Sequence, residues 1–107
     1  MKHVLFVLPA LLLAACQLPT NVALLKVDEL RAAQNACLSG NVVQFDDGVT
    51  EASRIGRFVA MSCTVQTDKL VQYAIPHANR TEREAFEHDA ALRATGFVLR
   101  ARGQPRS

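Results

Sequence analysis

The chain has 107 residues, half of them hydrophobic, and its 12 basic and 10 acidic side chains leave a formal charge of +2. That length allows one domain and no more, and a balance so close to neutral lacks the basic excess that nucleic-acid binding uses. No nucleic-acid partner is expected.

Residues 1–15 have the layout of an export signal: a positive Lys2, an apolar run from Val4 to Leu13, then small residues ahead of a cysteine. An apolar run of about ten to fourteen residues is too short to span a hydrocarbon core about 30 Å thick, and Pro9 interrupts it. The tetrapeptide Leu13-Ala14-Ala15-Cys16 resembles the lipobox of bacterial lipoproteins, with an aliphatic residue, two small ones and the cysteine all in place. The resemblance implies that Cys16 receives a diacylglycerol on its sulfur, that cleavage falls between Ala15 and Cys16, and that the freed amine is acylated. The alternative is a secreted protein cut elsewhere, with an ordinary thiol at Cys16. Two or three acyl chains, at roughly 0.8 kcal/mol per buried methylene, hold a protein on a membrane without a spanning helix. Gln17 stands where inner-membrane lipoproteins of enteric bacteria carry Asp. The resemblance therefore points to the periplasmic face of the outer membrane, with the inner membrane as the alternative.

Residues 16–21 read as a short lipidated linker, so the domain sits against the bilayer. Pro19, Thr20 and Asn21 form a helix start, and 22–38, rich in Ala and Leu, predicts a helix stopped by Ser39-Gly40. Val27, Leu30, Ala33 and Cys37 recur at helical spacing as its buried face, with Lys26, Arg31 and Gln34 lying largely elsewhere. A competing parse places a strand at 22–27 and a shorter helix capped by Asp28. Asn41 to Phe45 predicts a short strand ended by the turn Asp46-Asp47-Gly48, and 49–56 reads as a loop. Arg57 to Gln66 alternates, with Val59, Met61, Cys63 and Val65 on one face. Leu70 to Ile75 follows as a second strand of that hairpin, a three-residue loop setting Cys63 opposite Tyr73. Beyond Pro76, Thr81 and Glu84 have the spacing of a capping box, predicting a helix over 82–95 stopped by Gly96. Residues 97–101 read as a last strand and 103–107 as a basic tail. The expectation is an α+β fold over 22–102: a small two-layer domain, two helices on one face of a mostly antiparallel sheet.

With residues 1–15 removed and Cys16 acylated, Cys37 and Cys63 remain as an even pair in an oxidising compartment, which predicts a disulfide. Free thiols are the alternative; a catalytic thiol finds no partner in the sequence. A domain this small buries only about 60 to 65 per cent of its unfolded surface, so such a staple matters. Charge is uneven: residues 16–53 hold two basic side chains against five acidic, and 54–107 hold nine against five. Arg100, Arg102 and Arg106 make the carboxyl-terminal end positive, suited to a solvated tail or to anionic head groups or an acidic partner.

Chemistry-bearing patterns are sparse. Glu84 and His88, four apart on a helix with His77 upstream, are the weak metal candidates, but that spacing is equally an ion pair's, and no HExxH motif accompanies it. Ser62 lies inside a predicted strand without a GxSxG turn, which argues against a nucleophile. Asp46 and Asp47 beside Gly48 lack the twelve-residue ligand pattern of a calcium loop. No catalytic residue, metal or cofactor is assigned. The reading is a membrane-anchored accessory module that binds an envelope protein, with a ligand- or cell-wall-binding domain as the alternative and a small enzyme as the less favoured third.

Overall fold

The computed structural model describes residues 20–103, and across them the chain is helical, with no strand: α1 Thr20–Phe45, α2 Ala52–Ser62, α3 Thr64–Ala74 and α4 Arg80–Ala101. The expected α+β fold is therefore wrong, and so are the strands at 41–45, 57–66, 70–75 and 97–101. The leader, the lipobox and Cys16 lie outside the described residues.

α2 and α3 are separated only by Cys63, whose backbone at φ −110°, ψ 24° leaves the helical range for one residue. Ser62 and Thr64 turn their hydroxyls onto the carbonyls of Val59 and Met61 at this break, 2.6 and 2.7 Å away. The architecture is an up-down-up bundle of three rods, the middle one kinked. Gln34 meets Thr67 while Asp46 meets Arg102, and Arg93 reaches Gln34 and Asn35; α1 and α4 thus run parallel, with α2 and α3 returning between them.

The apolar residues of the middle rod satisfied two periods at once. Val59, Met61, Cys63 and Val65 alternate, but Ile55, Val59 and Cys63 also recur every four residues, and Leu70 and Val71 extend that stripe beyond Thr67. The helical period prevails: Ile55, Val59, Cys63, Leu70 and Val71 are buried, whereas Met61 is 74% exposed and Val65 also faces outward. With Leu38, Val42, Ala94 and Val98, the first three of these form the core that lets all three rods bury one stripe each.

The anticipated glycine stops do not stop anything. Gly40 and Gly96 lie inside α1 and α4, and the helices continue to bury Val42 and Val98. A helical glycine costs about 1 kcal/mol relative to alanine, and burying one valine offsets that. The glycines that follow helix ends are Gly48 and Gly103, at φ +76° and +74°. The Asp46-Asp47-Gly48 turn is present as expected. The capping box of α4 is shifted by two residues: Asn79 Oδ1 accepts from the Glu82 amide at 2.8 Å, and Glu82 Oε1 accepts from the Asn79 amide at 3.3 Å. Asparagine is as good a cap as threonine and lies nearer Pro76. The helix so capped includes Thr81 and Glu84 as ordinary exposed positions.

Cys37 and Cys63 are bonded, their Cα atoms 6.0 Å apart, in the usual range for a disulfide. The bond ties α1 to the kink of the middle rod. Of the predicted buried face of α1, Val27, Leu30 and Cys37 are half-buried and Ala33 is exposed. Gln34, expected on the polar side, is 1% exposed.

Candidate functional site

The kink at Cys63 opens a cleft between the middle rod and α4. Above it, α2 packs chiefly on α4, because Gly56 lets the two backbones approach: a Cβ there would lie 2.8 Å from the Thr95 amide nitrogen and 3.0 Å from the Ala91 carbonyl oxygen. Below it, α3 swings toward α1, where Thr67 accepts from the buried Gln34 amide at 2.9 Å. The amino-terminal half of α4 is left partly uncovered. A cleft of about 380 Å³ opens there, floored by Ala60, Ala90 and Ala91, with Met61 at its mouth.

Its rim is charged. Arg57 stands on the α2 side; Glu84, Glu87 and His88 stand on α4, at the spacing that puts them on one helix face with Ala91. Thus Glu84 and His88, the weak metal candidates, do share a site. Glu84, however, is paired with Arg80, whose Nε lies 3.0 Å from its Oε1. Among the described residues no three His, Cys, Asp or Glu side chains gather to hold a metal. His77 is exposed in the turn after α3 and does not line the cleft. Ser62 is committed to the α2 terminus: its hydroxyl donates to the Val59 carbonyl and accepts from Asn41 Nδ2 at 2.7 Å.

Two polar clusters missed in the sequence hold the bundle around this cleft. At mid-height, Arg93 Nη1 donates to Gln34 Oε1 at 3.2 Å and to Asn35 Oδ1 at 3.1 Å, and its Nη2 pairs with Asp89 at 2.7 Å. Every rod contributes, since Gln34 in turn donates to Thr67. At the far end, Arg102 is clamped bidentately on Asp46 and donates to the Thr50 carbonyl at 2.7 Å. Arg102 therefore belongs to the fold and not to a free basic tail. Arg100 lies over the Phe97 ring, 5.7 Å from its centroid, and Arg106 is outside the described residues.

The aspartates of the turn are engaged too. Asp47 accepts from the Thr50 hydroxyl and from the amides of Thr50 and Val49, bonds that pull its pKa down to about 2. Asp46 is lowered by Arg102 first and the Gly48 amide second, while Asp46 raises Arg102 in return. These carboxylates cap and lock a turn. Among the described residues no third His, Cys, Asp or Glu side chain joins them to hold a cation.

No known protein family, curated protein or solved structure matches this chain. No helix among the described residues is long and apolar enough to cross a membrane.

Proposed function

We propose that the chain is an envelope lipoprotein, acylated at Cys16 and held on the periplasmic face of the outer membrane, whose helical bundle acts as a protein-interaction module. The inner membrane is the alternative destination. The lipobox supports the anchor. The observation that carries the interaction reading is the run of large apolar side chains left exposed on the middle rod: Phe58, Met61 and Val65, with Met61 at the mouth of the cleft. A folded monomer gains nothing from displaying them, and apolar surface beside a charged rim is the usual anatomy of a docking face. Catalysis is not part of the reading, since among the described residues no nucleophile is brought together with a base and an orienting group.

The cleft volume, about 380 Å³, favours one second reading, a small-ligand or cell-wall-binding site, because ligand pockets begin near that size. Site-specific photo-crosslinking from position 61 in living cells separates the two. The interaction reading expects one discrete protein adduct, abolished by Phe58→Asp and absent when the crosslinker is moved to Leu92. Retention on isolated peptidoglycan without an adduct would replace it with the second reading. Acyl labelling lost in Cys16→Ser tests the anchor; labelling that persists would remove it.

A further inference from the structure

The two ends of the bundle are different, and the anchor is joined to one of them. α1 begins at Thr20, only four Cα steps from Cys16, a reach of at most about 14 Å. Gln34, Thr67 and Arg93 share one level of the bundle. From that level Leu24 lies ten residues down α1, about 15 Å, and α3 ends seven residues down, about 10 Å. The anchor-proximal end is therefore formed by the start of α1, the end of α3 and the turn into α4.

The fold leaves this end's apolar side chains uncovered. Leu24 and Leu25 are 57% and 66% exposed, and Tyr73, a ring with a polar tip, is 43% exposed. Lys26 and Lys69 flank Tyr73 across a shallow notch. Leucines beneath a tyrosine and two long basic side chains is the composition of segments that rest at a membrane interface: the leucines enter it, tyrosine sits at head-group level and lysines extend to water. Charge is not the attraction, since residues 20–29 and 69–84 together hold four basic and four acidic side chains.

We propose that this end of the bundle, through Leu24, Leu25 and Tyr73, beds into the lipid head-group layer, so that the rods stand upright on the membrane and the cleft, along the amino-terminal half of α4, opens just above the head groups. The inference rests on the acyl anchor at Cys16. In this pose α1, 26 residues long, carries the Asp46–Arg102 lock about 39 Å from its start. Arg100 and Arg102 are then turned away from the anchoring membrane, and the head groups of that membrane are not their partners.

Tyr73 is the chain's one tyrosine and there is no tryptophan, so its fluorescence reports this face alone. The full chain is purified from membranes, its acylation checked by mass, and reconstituted into phosphatidylcholine vesicles, with or without a fifth as much phosphatidylglycerol and with nitroxide on the head groups. The comparison protein is Tyr73→Phe with Phe58→Tyr, which moves the reporter to the opposite end, where Phe58 packs on Phe45 at 5.1 Å. Head-group nitroxide is expected to quench Tyr73 at least about twofold more than the relocated tyrosine, equally in both lipids. Leu24→Ser with Leu25→Ser should erase that difference while acylation and helix content stay unchanged. Equal quenching of the two positions in the acylated protein overturns the upright pose and leaves the anchor standing, as does a requirement for phosphatidylglycerol overturn the apolar contact. A purified chain without acyl groups overturns the anchor and the pose with it.

Discussion

One substitution made at two glycines should give opposite results, because the helices treat the two positions differently. Gly40 and Gly56 are both interior helical glycines, so Gly→Ala removes the same unfolded-chain entropy and brings the same helix propensity, together about 1 kcal/mol. At Gly40 a new Cβ meets nothing within 4 Å. At Gly56 it would lie 2.1 Å from Thr95 Oγ1, 2.8 Å from the Thr95 nitrogen and 3.0 Å from the Ala91 oxygen. The hydroxyl can rotate away, at the loss of its 2.8 Å bond to the Ala91 carbonyl, but the backbone contacts are relieved only by moving α2 off α4. Overpacking of that kind costs about 1–3 kcal/mol, more where backbone is involved, which exceeds the propensity gain. Gly40→Ala should raise stability by about 0.5–1 kcal/mol, and Gly56→Ala should lower it by about 1–2. In a domain of this size each kcal/mol moves the melting temperature by roughly 4–8 °C, so the variants should separate by ten degrees or so. Urea and thermal unfolding followed by far-ultraviolet circular dichroism give both numbers. If Gly56→Ala melts as high as Gly40→Ala, the close approach of α2 and α4, and the account of how the cleft opens below it, is wrong.

Replacing both Cys37 and Cys63 by Ala releases a loop closed across 26 residues, and the chain-entropy model gives a loss of about 3.5 kcal/mol; urea midpoints within about 1 kcal/mol of the wild type would show that the bond is not what secures the kink. Asp47, with its pKa depressed to about 2, contributes stability that is complete above the unfolded value near 4 and is lost as pH falls from there toward 2. The melting-temperature gap between wild type and Asp47→Asn should therefore close over that window, and parallel curves would count against the turn's hydrogen bonds. Asn79→Ala should cost about 1 kcal/mol by removing the cap of α4, whereas Thr81→Ala should be nearly neutral; the reverse order in denaturant titrations would return the cap to Thr81.

The sequence showed most where one local rule acts alone. The Asp46-Asp47-Gly48 turn and the Cys37–Cys63 bond were legible, because a turn or a lone cysteine pair has few competing readings, and a helix after Pro76 was legible with its cap misplaced by two residues. The middle rod was not, since its valines and threonines favour strands locally and their spacing fits periods of two and of four. What decided between them was the partner each face meets: Val59 and Cys63 bury against α1 and α4, and Met61 and Val65 have nothing to cover them. The misreading of the rod carried the site with it. Arg57 and Met61 join Glu84, Glu87 and His88 around one cleft only when 57–66 is a helix kinked at Cys63. As a strand, the same segment turns Met61 inward.

The polar cluster of Gln34, Thr67, Arg93 and Asp89 explains why so small a bundle keeps one register. The core stripe of alanines and valines is permissive, since Ala90, Ala94 and Val98 offer similar surfaces one turn apart and a slip along α4 would bury almost the same apolar area. A slip would, however, take Arg93 away from the Oε1 of buried Gln34, and an unpaired buried polar group costs about 1–3 kcal/mol. The clamp of Arg102 on Asp46 penalises the same slip from the other end, and the disulfide fixes the middle rod against α1. The register is held by polar and covalent pairs because the apolar stripe cannot hold it. Phe58, Met61, Leu24 and Leu25 lie outside the core and remain on the surface, where the partner face and the membrane face are proposed.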